Sequence, residues 1–261
     1  MTEHELRAAL CEVGRRLWQR GLIASTEGNL SARLDSGRIL ATPSGVSKGF
    51  VTPEMLVICD LNGQPLPGQT MKPSSEMNMH MTVYRHRPDV GGVVHAHPPT
   101  ATGFATAGLA LDKCVHPEMI IVLGGVPLAP YALPSSQDLG DSFLPWLPTH
   151  DAFLLANHGA IAVGKDIFNA LFKMEAIEQF AQISLTARML GGENELSPVQ
   201  VRELEGLREK FGLKLNAHCA GPECPVCNER TSGRVEERTN GHDSDLDALH
   251  AEVARRTAAR G

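Results

Sequence analysis

Val93-Val94-His95-Ala96-His97-Pro98 is an apolar run that ends in two histidines and is closed by proline. It reads as the end of a β-strand running from Val90 to His95. Successive side chains on a strand point to opposite faces, so His95 and His97 share one face. Downstream, a second apolar strand from Phe153 to Ala156 leads into Asn157-His158-Gly159. Upstream, Ser74-Ser75-Glu76 supplies a carboxylate. Three imidazoles plus a position open to water or substrate form the ligand set of a catalytic divalent metal, most often zinc. The chain has 11 histidines, and a lone pair two residues apart is commonly a surface or satisfied core feature. His158 turns the reading toward a metal, because it follows a second strand and its small, polar neighbours let backbone come close.

The rest of the chain alternates helices and strands, which indicates an α/β fold. Thr2-x-x-Glu5 is a capping box. Leu6, Leu10, Val13 and Leu17 then recur at helical spacing up to Gly21. Arg38 to Ala41 and Leu56 to Leu61 read as strands. Ser74 and Ser75 read as N-caps of a helix reaching about Arg87, with Met77, Met81 and Tyr84 as its apolar stripe. Thr100 to Ala107 is read as helical, Met119 to Leu123 as a strand, and Ser136 to Trp146 as a short helix or turn. After the strand Ala160 to Val163, Asp166 caps a long helix carrying Leu171, Met174, Ile177, Ala181 and Leu185 on one side, up to Gly191-Gly192. Ser197-Pro198 opens another helix, to about Phe211.

The 261 residues, 42% hydrophobic and 21% charged, suffice to bury a sizeable core. A net charge of −6 argues against nucleic-acid binding, which needs a basic face. No run of 18 apolar residues occurs, so no membrane span is expected. The acidic Met1-Thr2-Glu3-His4-Glu5 start lacks the pattern of a signal peptide, so a cytoplasmic location is expected. Cys11, Cys59 and Cys114 are isolated among apolar neighbours and read as small core residues or reduced thiols. From residue 217 the regular apolar pattern gives way to a cysteine-containing, charged extension. The domain organisation is therefore read as 1–216 plus an extension, 217–261. His218, Cys219, Cys224 and Cys227 form either a second, structural zinc site or a thiol-rich linker.

Three segments rich in small hydrogen-bonding residues could hold an anion: Gly28-Asn29-Leu30-Ser31, Thr42-Pro43-Ser44-Gly45 and Ser74-Ser75. Backbone N–H groups, hydroxyls and helix N-termini are what phosphate binds, and Lys48 could add charge. Each segment alone also reads as a plain turn. Beside a metal candidate they suggest a small phosphorylated substrate. No nucleotide-binding glycine fingerprint is present.

In order and spacing, Thr26-Glu27-Gly28-Asn29-Leu30-Ser31, Thr42-Pro43-Ser44-Gly45, Pro73-Ser74-Ser75-Glu76, His95-Ala96-His97 and Asn157-His158-Gly159 resemble the class II aldolase/adducin family over about residues 3 to 190. The resemblance implies a three-layer α/β/α fold around a mainly antiparallel central sheet, in a homotetramer with sites between subunits. It implies that His95, His97 and His158 ligate a divalent metal, most readily Zn2+, with Mn2+, Co2+ or Fe2+ also suited to the set. Glu76 would ligate the free metal and act as acid/base once substrate arrives. Asn29, Ser44, Gly45, Ser74 and Ser75 would form the phosphate pocket.

The implied activity is retro-aldol cleavage of a ketose 1-phosphate to dihydroxyacetone phosphate and an aldehyde. The alternatives are dehydration or decarboxylation of a phosphorylated sugar or sugar acid on the same metal. A non-enzymatic role like that of adducin heads is disfavoured by retention of the histidines, Glu76 and the serines. One departure stands out: the family aldolases carry a tyrosine proton donor where this chain has Glu118, counting back from Gly124-Gly125. Glu118 is therefore expected to share proton transfer, against the plainer reading of a carboxylate in a surface turn.

Overall fold

The first helix, α1 (Glu3–Gln19), begins where its cap places it. The Thr2 side chain accepts from the Glu5 backbone, and the Glu5 carboxylate answers the Thr2 N–H. Leu10, Val13 and Leu17 are fully buried, each contributing roughly 1.5–3 kcal/mol by removal from water. The computed structural model describes residues 1–211 and 213. The extension from 217, and with it His218, Cys219, Cys224 and Cys227, lies outside the described residues.

Among the described residues seven strands follow: β1 (Asn29–Arg33), β2 (Ile39–Ala41), β3 (Val57–Cys59), β4 (Gly92–Ala96), β5 (Leu128–Ala129), β6 (Ala152–Leu155) and β7 (Gly159–Gly164). They form one sheet in the order β3-β2-β1-β4-β7-β6-β5. Every pairing is antiparallel except β5 with β6. The expected mainly antiparallel central sheet is therefore present.

Alternation along the strands builds two apolar layers. Val94, Ala96, Ala160 and Ala162 face a core shared with α1, α3 (Pro99–Thr106) and α6 (Ile167–Met189). Val93, Ile161 and Val163 face the opposite core, built with α2 (Met77–His86) and α5 (Gln137–Ser142). Residues on both faces are buried, which is why these strands read as unbroken apolar runs. Two further helices, α4 (Pro117–Val122) and α7 (Pro198–Lys210), pack against each other. At the sheet's end, Lys173 of α6 holds Asp151 at 2.7 Å and the Val163 carbonyl at 3.0 Å. Arg87 reaches the same carboxylate at 2.9 Å. Among the described residues no helix is long and apolar enough to cross a membrane.

Several expectations need correction. Met119 to Leu123 is not a strand: it lies mostly in α4, where Pro117 takes the first helical turn and Met119, Ile120 and Leu123 are buried. An aperiodic apolar run cannot tell the two apart. Ser74 and Ser75 do not cap α2, whose cap position is Glu76 with no side-chain bond. Ser74 instead accepts from the Glu76 backbone in a preceding turn. Gly28 to Ser31 is not a loop throughout, because β1 begins at Asn29. Leu185 is 45% exposed and leaves the buried face of α6. β5, only two residues long, was not anticipated.

Candidate metal centre and active site

Strand β4 carries His95 on the α2 face of the sheet, fully buried, and His97 follows just past the strand. His158 sits in the β6–β7 turn, which Asn157 enters with φ 57°. Because β4 pairs with β7, that turn lies beside the end of β4. The three rings pack edge to face with centroids 4.8, 4.9 and 5.2 Å apart. One nitrogen from each lies within 4.8 Å of the others.

Hydrogen bonding fixes what these nitrogens offer. His95 Nδ1 is 2.9 Å from the Ala160 carbonyl, which only accepts, so Nδ1 holds the proton and Nε2 a lone pair. His97 Nδ1 is 3.2 Å from the Glu27 carboxylate, with the same result. Yet the two Nε2 atoms are 3.1 Å apart. Glu76 adds carboxylate oxygens 3.4 Å from His95 Nε2 and 3.2 Å from His158 Nε2. Lone pairs and negative charge that converge in this way fit a cation. Burial pushes His95 down to about 3 and lowers His97, which keeps both rings in the neutral, ligating form. Burial raises the Glu76 carboxyl, but the hydrogen bonds from His158 and Asn29 and its electrostatic interaction with the neighbouring imidazoles outweigh that and hold it well below the usual carboxylate range.

Two glycines make room. A Cβ on Gly159 would lie 2.5 Å from His97 Cδ2 and 2.7 Å from the Ala96 carbonyl. A Cβ on Gly28, at φ 68°, would lie 2.9 Å from the His95 carbonyl. The turn after His97 is held from α6, where the Glu178 carboxylate accepts from the Thr100 and Ala101 N–H groups at the start of α3.

The structure brings the three expected anion loops together. Pro43 bridges Pro73, Ser44 N–H donates to the Lys72 carbonyl at 3.0 Å, and Ser74 N–H to the Thr42 carbonyl at 3.3 Å. Buried Lys48 donates to the Thr26 carbonyl at 2.6 Å and the Val46 carbonyl at 2.9 Å, so it ties the chain just before Gly28 to the chain just after Gly45. Ser44, Gly45 and Ser75 are exposed. Ser135 Oγ donates to Ser75 Oγ at 3.0 Å. Asn29 is buried and turns its amide N–H to Glu76 at 2.8 Å.

Glu118 stands apart: its side chain is 74% exposed and its carboxylate pairs with His116 at 3.3 Å. Sequence reasoning assigned no role to Glu27, Glu178 or His80. For His80 a signal existed, since it lies four residues after Glu76 on one helix face.

Residues 8–185 match the family model described as Class II Aldolase and Adducin N-terminal domain. The chain belongs to the class II aldolase and adducin family. It is 34% identical to the 3-oxo-tetronate 4-phosphate decarboxylase of Pectobacterium atrosepticum, over 70% of this chain and 84% of that protein. It is 35% identical to the 5-deoxy-D-ribulose 1-phosphate aldolase of Bacillus thuringiensis serovar kurstaki, over 78% and 94%. A solved L-fuculose 1-phosphate aldolase superposes with a TM-score of 0.73 at 31% identity, covering 80% of this chain and 96% of that one. Members of this family with such names are lyases or decarboxylases acting on small phosphorylated sugars.

Proposed function

We propose that this chain is a metal-dependent carbon–carbon lyase that releases dihydroxyacetone phosphate from a small phosphorylated substrate. The supporting observation is the convergence of three imidazoles and the Glu76 carboxylate beside three small-residue loops. His95, His97 and His158 would hold the cation, Zn2+ first, and Glu76 would join them in the free enzyme. A bound divalent cation supplies Lewis-acid polarisation of the substrate's carbonyl and hydroxyl oxygens.

The residues then divide the work. Ser44, Gly45, Ser74 and Ser75 take the phosphate, through hydroxyls and backbone N–H groups. Glu76 moves the proton. In retro-aldol cleavage a hydroxyl proton goes to base, the C3–C4 bond breaks, an aldehyde leaves, and the enediolate of dihydroxyacetone phosphate takes a proton at carbon. Glu76 can carry both transfers in turn. Glu118, exposed on its own chain, would contribute only to the site of a neighbouring copy in a homotetramer. A Glu118→Gln variant with undiminished turnover removes it from the mechanism. The assembly is read as cytoplasmic, with the catalytic domain in 1–216.

One feature favours a second reading, decarboxylation of a 3-oxo sugar acid phosphate. Losing CO2 leaves the same enediolate and needs a proton donor but no base for a hydroxyl. The relative named as a 3-oxo-tetronate 4-phosphate decarboxylase supports it.

Both readings predict that zinc-loaded protein exchanges a carbon-bound proton of dihydroxyacetone phosphate for deuterium. Condensation with added aldehydes then marks the aldolase, and CO2 release from 3-oxo-tetronate 4-phosphate marks the decarboxylase. No exchange and no condensation from metal-loaded protein would refute the proposal.

A further inference from the structure

Behind Glu76 runs a line of buried polar groups that the proposed chemistry does not use. Helix α2 places Glu76, His80 and Tyr84 at successive four-residue steps, about 6 Å apart along the axis. Strand β1 places Asn29, Ser31 and Arg33 at two-residue steps, about 6.7 Å apart. The near-equal repeats let the two rows meet rung by rung. Asn29 contacts Glu76 and His80, Ser31 contacts His80 and Tyr84, and the Arg33 guanidinium lies 4.8 Å from the Tyr84 ring centroid.

Chemistry orders the protons along this line. Glu76 only accepts, so Asn29 presents Nδ2 to it at 2.8 Å and turns Oδ1 away. Oδ1 only accepts, so His80 Nε2, in contact with it, carries a hydrogen. His80 is fully buried, and burial pushes it down to about 4, so the ring is neutral and Nδ1 is a lone pair. Ser31 Oγ, 2.6 Å away, donates to Nδ1. Having given its one hydrogen, Ser31 accepts from the Tyr84 hydroxyl at 2.9 Å. Every donor points toward Glu76.

We propose that His80 is a positioning residue, which locks the Asn29 amide so that its N–H, and never its carbonyl, faces Glu76. A flipped amide would set Oδ1 against the Glu76 carboxylate and Nδ2 against the His80 N–H, two repulsive contacts in a buried site. The locked amide occupies Oε2 and leaves Oε1, on the His158 side, to handle protons. Asn29 thus gives a side-chain N–H to the carboxylate. The inference rests on the reading of Glu76 as the proton carrier.

Two measurements test it separately. Metal-free protein labelled with 15N-histidine should show His80 as the Nε2–H tautomer near neutral pH in a long-range proton–nitrogen correlation. Ser31→Ala deletes one oxygen, frees Nδ1 and should admit the Nδ1–H tautomer. Nδ1–H in the wild type, or a spectrum indifferent to Ser31→Ala, overturns the chain of donors. In the deuterium-exchange assay, His80→Leu should lower the rate at saturating dihydroxyacetone phosphate by about 10–100-fold. Zinc content and half-saturation should not change. His80→Gln, whose amide nitrogen can stand where Nε2 stood, should recover most of the rate. Wild-type rates in His80→Leu, or no advantage of Gln over Leu, overturn the positioning role. If wild-type protein exchanges nothing, the proposed reaction falls, and the tautomer spectrum still decides the proton order.

Discussion

Gly159→Ala tests the centre with a single methyl group. The new Cβ would sit 2.5 Å from His97 Cδ2 and 2.7 Å from the Ala96 carbonyl, about 1 Å inside ordinary carbon contact. The carbonyl belongs to a paired strand and cannot retreat, so the His97 ring and the β6–β7 turn must give way. Metal-ligand distances tolerate about 0.2 Å, so a shift of this size takes His97 out of reach or moves His158 instead. The overpacking should cost about 1–3 kcal/mol in metal-free protein, and the displaced ligand should weaken zinc binding at least about tenfold. Urea unfolding without metal gives the first number, and competition against a chelator gives the second. A Gly159→Ala protein that binds zinc as tightly as wild type would show that His97 is not a ligand held by this contact.

Gly103→Ala is the matched control, since nothing lies within 4 Å of its Cβ position in α3. It should raise stability by about 0.4–1 kcal/mol with zinc affinity unchanged, as read by the same two assays. Lys173→Met strips the buried Asp151 of its 2.7 Å partner while Arg87 stays. About 3 kcal/mol should be lost, and a change under about 0.5 kcal/mol by urea unfolding would contradict the pairing. His80 titrates near 4 when folded against 6.5 as its ordinary value. Between those pH values the unfolded chain binds a proton that the folded one refuses. This contribution is therefore present above about pH 6.5 and is lost as pH falls toward 4, on the order of 3 kcal/mol in all. Across that window the unfolding free energy should fall more with falling pH in wild type than in His80→Gln, as read from urea unfolding at a series of pH values.

What the sequence made legible followed strong local signals. The capping box of α1 and the Asp166 cap of α6 are local signals in themselves, and the paired strands around His95 and His158 stand out as short apolar runs. The metal candidates and the anion loops were readable because small residues and histidines cluster in short motifs. The misreadings came where local signals are ambiguous. Met119 to Leu123 is apolar at every position, and only packing against α7 and the sheet core makes it a helix. Asn29 and Ser31 looked like turn residues, yet the pairing of β1 with β4 claims them for the sheet. Glu118 was placed by family pattern alone, and on its own chain it is exposed and pairs with His116. Contacts over long separations, such as Glu178 with Thr100 or Lys48 with Thr26, leave no mark in a local reading.

The placement of the three imidazoles also governs kinetics. His95 and His97 arrive together, whereas His158 joins them only after the β6–β7 hairpin has docked on β4. Before that docking the chain offers a cation at most two of these three imidazoles. Zinc should therefore leave the early refolding steps at their metal-free speed and act chiefly by slowing the native protein's opening, which makes the cation a latch on the finished sheet rather than a seed for building it.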